Sequence, residues 1–223
     1  GMNLQDHPLL KGMNFVARTP LGPIRDQGGG AMLNWKSDQA LPAPDLHAFI
    51  VQRPHASAEM RARYDIPDNC FAISPGLMRS ESRGYMRLLE ARHDGAVEIQ
   101  PDFLAEPSDL RALATAVETV FDLAESRPFR DLVQRPASPP HRLDQAGREA
   151  FVRQSLSTFF HACGTCAMGT DDMSVVDPAL RVRGVNGLRI ADASVIPVIP
   201  TCNTLAPVVM IAERAADLMK ENA

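Results

Sequence analysis

Apolar residues come in short blocks over 13–18, 47–52 and 70–78, and the chain between them is rich in breakers such as Gly22-Pro23 and Leu41-Pro42-Ala43-Pro44. Blocks of that length between proline and glycine predict strands of an antiparallel sheet. Two more blocks, 85–92 and 96–100, flank Asp94-Gly95. Both residues tolerate the positive φ of a tight turn, so a hairpin is expected. The period then becomes helical. Leu110, Leu113, Ala114, Val117, Val120, Phe121 and Ala124 share one face, with Ser108 as N-cap and Arg127-Pro128 as the stop. A second helix is predicted from near Asp144, with Phe151, Val152 and Leu156 on one face. The preceding Arg135-Pro136-Ala137-Ser138-Pro139-Pro140 reads as a lid or crossing loop. Near the end, 187–191 reads as a strand and 205–220 as a helix. Asn203 or Thr204 caps that helix, and Pro207 sits in its first turn, where a missing N–H costs little.

Composition narrows the function classes. With 223 residues and 45% hydrophobic content, the chain has material for one domain or two small ones. Its net charge is −4 and its Lys and Arg are dispersed among acids, which argues against a nucleic acid partner. No apolar run approaches the roughly 18 residues of a membrane span, and no basic region followed by an apolar run opens the sequence. A cytoplasmic protein is expected. Cys70, Cys163, Cys166 and Cys202 are an even count, but a chain of this size without a secretion signal is expected to keep them as thiols.

The densest chemistry lies in Phe160-His161-Ala162-Cys163-Gly164-Thr165-Cys166-Ala167-Met168-Gly169 and downstream in Ala191-Asp192-Ala193-Ser194 and Cys202-Asn203-Thr204-Leu205-Ala206-Pro207. A histidine can take a proton at neutral pH, so His161 is a candidate general base. After Phe159-Phe160 it can equally be a core histidine satisfied by a carbonyl. Asn203 can hold a substrate oxygen through its amide or cap the helix that follows. A helix beginning at Thr204 or Leu205 aims free N–H groups and partial positive charge at its surroundings. His161, Cys163, Cys166 and Cys202 also permit a structural zinc site, although there is no second Cys-x-x-Cys. A thioredoxin-like role for Cys163 and Cys166 is disfavoured because no helix is predicted to begin there after a strand.

These segments, together with Asn3-Leu4-Gln5-Asp6-His7-Pro8, resemble the glucose-methanol-choline (GMC) flavin oxidoreductases, and choline dehydrogenases most closely in look. Ser82-Arg83-Gly84 and Pro101-Asp102-Phe103-Leu104, on either side of the hairpin, resemble that family's substrate domain. The resemblance implies an α+β fold. Residues 1–157 would form an antiparallel-sheet substrate domain with packed helices, and 158–223 would add a strand and a helix to an incomplete FAD-binding fold. It also implies FAD-dependent oxidation of a small-molecule alcohol, with His161 as base and Asn203 as its polar partner. Many members carry histidine at the latter position, and asparagine resembles the choline-type branch. Phe160, Asp192, Ala193 and Thr204 would lie against FAD.

The family's Gly-x-Gly-x-x-Gly turn, which receives the FAD pyrophosphate, does not occur. Gly28-Gly29-Gly30 has the wrong spacing and reads as a flexible loop. The chain is therefore expected to be a C-terminal portion that retains little FAD and little activity alone. A separate flavin-binding chain or a homo-oligomer would be its partner, and the alternative is a truncated product acting as an interaction domain.

Overall fold

The computed structural model describes residues 1–24 and 29–221. In chain order the strands and helices are β1 (Met2–Leu4), β2 (Pro8–Leu10), β3 (Asn14–Ala17), β4 (Gly29–Trp35), β5 (Leu46–Val51), α1 (Ala58–Arg63), β6 (Cys70–Leu77), β7 (Gly84–Leu88) and β8 (Val97–Gln100). Then follow α2 (Pro107–Glu125), α3 (Arg127–Arg130), β9 (Val133–Ser138), α4 (Gln145–Ser155), β10 (Leu156–Thr158), a 3₁₀ turn (Ala193–Val195) and α5 (Leu205–Lys220). They form two compact units. One comprises Gly1–His7, Arg79–Glu106 and Phe160–Ala223, and the other Pro8–Met78 and Pro107–Phe159.

The second unit is a seven-stranded antiparallel sheet with helices packed on it. Its strands run β10-β2-β6-β3-β9, with β5 also pairing β6 and β4 pairing β5. β6 is buried along its whole length, as a central strand must be. The apolar stripe of α2 is buried as the helical period requires, and the helix packs on β6 and α4. Phe15 of β3 anchors this core, with its ring 5.9 Å from Phe71 and 6.2 Å, edge-on, from Phe121. α4 begins near Asp144 as expected, and that residue caps it, its carboxylate accepting from the Gly147 N–H at 2.8 Å.

Several details differ from the sequence expectations. The proline-rich 135–140 segment is not a lid: Val133–Ser138 is β9, an edge strand on β3, where Pro136 removes a ladder donor at little cost. Gly29 and Gly30 are not loop residues but the start of β4, while Gly28 lies outside the described residues. Ser108 is inside α2, which begins at Pro107, a proline at the first helical position lacking only an orphan N–H. The 187–191 segment makes no strand. Its Arg189 forms one isolated bridge with Arg181, and Gly187 turns away at φ +74°.

The first unit holds the three-stranded antiparallel sheet β1-β7-β8. The hairpin exists, with Tyr85 opposite Gln100 and Leu88 opposite Val97. Its connection is longer than a tight turn: Leu89 N–H bonds Ala96 C=O at 2.8 Å, and Gly95 closes a smaller turn onto Arg92 at 3.1 Å. The remainder of this unit, from Phe160 on, is mostly irregular chain ending in α5. Val176, Leu180, Val195, Ala215 and Leu218 form its main apolar cluster. Among the described residues no helix is long and apolar enough to cross a membrane.

Candidate active site

The site is assembled by polar side chains of the N-terminal strap. A buried polar group needs a partner, and Gln5, Asp6 and His7 are 2%, 9% and 0% exposed. Most of their partners lie more than 150 residues further along the chain. Gln5 and Cys163 exchange backbone bonds at 3.0 and 2.9 Å. The Gln5 side chain donates to Pro197 C=O at 3.1 Å and accepts from Ile199 N–H at 3.0 Å. Asn3 Nδ2 donates to the carbonyls of Gly164 and Pro197, both at 3.2 Å. One carboxylate oxygen of Asp6 accepts from the backbone N–H of His7 at 2.8 Å and of His161 at 2.9 Å.

His161 is thereby placed beside His7. Their Nδ1 atoms are 2.8 Å apart and the rings meet edge-on at 86°. His7 Nε2 lies 3.0 Å from Pro200 C=O, three residues before Asn203. His161 is half-buried, and this desolvation holds its pKa below the ordinary imidazole value despite the opposing charge of Asp6. The neutral imidazole is therefore favoured at pH 7. Burial, reinforced by Asp6 and opposed by Arg83, pushes the Cys163 thiol up to about 12. Cys163 packs with Ile196 and Ile199, which makes it a small apolar residue and not a nucleophile.

Gly164 allows the close approach. Its φ is +92°, and a Cβ there would stand 2.4 Å from Asn3 C=O and 2.8 Å from Gln5 Nε2. The following residues run along the 3₁₀ turn, with Gly164 N–H to Ala193 C=O at 3.4 Å, Cys166 N–H to Ser194 C=O at 2.8 Å and Met168 N–H to Val195 C=O at 2.8 Å. Asp192 caps that turn, accepting from Ser194 N–H at 2.8 Å. The structure thus joins His161, Ala193 and Asp192 through one stretch of chain.

Asn203 is exposed, and Thr204, at the N-cap of α5, is buried and makes no side-chain cap bond. Neither candidate side chain closes this helix end. Leu205 is 75% exposed and Pro207 has no N–H, so the first turn presents open backbone donors beside an apolar surface. Phe160, next to His161, is 77% exposed at a φ of 62°. Open donors, a helix N-terminus and exposed apolar side chains suit one flank of a flat group carrying negative charge, as a flavin is. These residues fit that flank of FAD; the pyrophosphate turn is not in the sequence.

Among the described residues, no group of three or more His, Cys, Asp or Glu is placed to hold a metal ion. The zinc alternative therefore has no ligand set there. In the sequence alone, His7, Asp6 and Gln5 stand out only as part of a motif, not as site residues. Their signal was available in principle, because four hydrogen-bonding side chains in the five residues from Asn3 to His7 have to find partners if buried.

Residues 80–212 match the GMC oxidoreductase family. The chain is similar over 99% of its length to an uncharacterised GMC-type oxidoreductase of Mycobacterium tuberculosis, at 41% identity, and covers 45% of that protein. It is 31% identical to the choline oxidase of Arthrobacter globiformis, with 99% of this chain and 41% of that protein covered. Among solved structures, pyridoxine 4-oxidase from Mesorbium loti has the same fold, with a TM-score of 0.89 at 28% identity over 97% of this chain and 43% of that one. The chain thus spans less than half the length of these relatives.

Proposed function

The chain belongs to the GMC oxidoreductase family, and from that premise we propose that it carries the base side of an FAD-dependent site oxidising the CH–OH group of a small alcohol. The observation that supports this best is the half-buried His161, with its ring against His7 and its backbone tied to Asp6. FAD, when bound, supplies the acceptor for the electrons leaving the carbinol carbon. His161 takes the hydroxyl proton. Asn203 holds the alcohol oxygen as negative charge develops on it, a role its amide N–H can fill. Phe160, Asp192, Ala193 and Thr204 are the residues of this chain proposed to lie against the cofactor, with the open first turn of α5 favouring negative charge there.

The pH dependence follows from the direction of the His161 shift. Burial disfavours the imidazolium, so the base form predominates at neutral pH. In the enzyme assembled with a flavin-binding part, kcat/KM is expected to rise with pH through a single pKa below about 6.5 and then level off. A limb at or above the ordinary imidazole value contradicts this assignment.

Alone, the chain is proposed to hold little FAD and show little activity, because most contacts to the pyrophosphate belong to a turn it lacks. Titrating it with FAD while following Trp35 fluorescence and the flavin spectrum is expected to give no saturable change. Saturation with a perturbed flavin spectrum would show that it builds a cofactor site unaided.

A further inference from the structure

We propose that His7 is a positioning residue that fixes the tautomer of His161, an inference that rests on reading His161 as the base. The argument begins at Pro200. Its carbonyl can only accept, so the 3.0 Å contact requires the hydrogen on His7 Nε2. His7 is 0% exposed, and an imidazole out of water favours its neutral form, which has one ring hydrogen. With that hydrogen at Nε2, His7 Nδ1 is an acceptor. The 2.8 Å contact between the two Nδ1 atoms then needs a hydrogen from the other ring, so His161 is protonated at Nδ1. In neutral His161 the lone pair consequently resides on Nε2.

The order is therefore His161 Nδ1–H to His7 Nδ1, and His7 Nε2–H to Pro200 C=O. Asp6 sets the spacing, since one of its oxygens bonds the backbone N–H of both histidines. The arrangement works in both protonation states of the base. When His161 Nε2 takes a proton, its Nδ1–H remains directed at His7, and the Asp6 carboxylate favours the cation. No proton leaves His7 in this step, so its role is orientation alone. In other enzymes too, a hydrogen bond to one ring nitrogen decides which nitrogen is free to react.

The test reads the tautomer directly, from long-range ¹H–¹⁵N spectra of the histidine rings in the full chain above pH 7. Wild-type His161 is expected to carry its hydrogen on Nδ1 and His7 on Nε2. His7→Leu removes the acceptor and is expected to move His161 away from the Nδ1–H form. His7→Asn, which keeps an acceptor at the δ position, is expected to restore it. In the assembled enzyme His7→Leu should lower kcat by about 10- to 100-fold, the range seen when partners that orient a metal-bound histidine are removed, with His7→Asn recovering part of it. His161 protonated on Nε2 in the wild type would overturn the proposal, as would an unchanged Nδ1–H form in His7→Leu. If His7→Leu does not fold, the wild-type spectrum still decides. These spectra involve no turnover, whereas failure of the base assignment appears separately, as unaltered flavin reduction in His161→Ala.

Discussion

Replacing His161 by Ala is expected to slow alcohol-driven flavin reduction in the assembled enzyme by about 10²- to 10⁴-fold, the usual contribution of a positioned general base. The loss should fall on the reduction step, with alcohol binding less affected, because proton acceptance matters chiefly as the O–H bond breaks. Two structural facts favour a large effect. Burial holds the imidazole pKa below its ordinary value, and Gln5, Asp6 and His7 of the strap beside it are almost fully buried. Rapid-mixing measurement of the reduction rate checks this, and a near-normal rate would remove His161 from the chemistry.

Gly164→Ala is expected to destabilise the unit that holds the site by about 3 kcal/mol. Placing a side chain in the left-handed region costs roughly 1–2 kcal/mol, and forcing extra volume into a packed position adds roughly 1–3 kcal/mol. Both apply here, since the φ is +92° and the new Cβ would meet Asn3 C=O at 2.4 Å, where no flexible side chain can yield. Gly184→Ala is the internal control. Its φ is +77° but nothing lies within 4 Å, so only the backbone cost of roughly 1–2 kcal/mol should appear. Urea unfolding of the two variants measures the difference. Equal losses would mean that the strap does not press on Gly164 as described.

The elements most legible in the sequence are those defined by local pattern. The α5 span, β5, β6 and the start of α4 near Asp144 follow from periodicity and boundary signals that act within a few residues. Pro136 misled because proline excludes central strands but not edges, and the edge position of β9 is a property of the whole sheet. Asp94-Gly95 marked a real hairpin, yet the chain spreads its reversal over a longer connection and leaves Gly95 without a positive φ. The site divided in the same way. His161 stood out in its own segment, whereas the function of His7 depends on a partner 154 residues away and on Pro200, a relation that no local pattern contains.

The most direct measurement of the central claim is anaerobic mixing of alcohols with the assembled, flavin-loaded enzyme while the oxidised flavin band is followed. The account predicts rapid loss of that band in the wild type and its persistence over the same interval in His161→Ala. Equal loss in both, or a wild-type flavin that no alcohol bleaches, would contradict it.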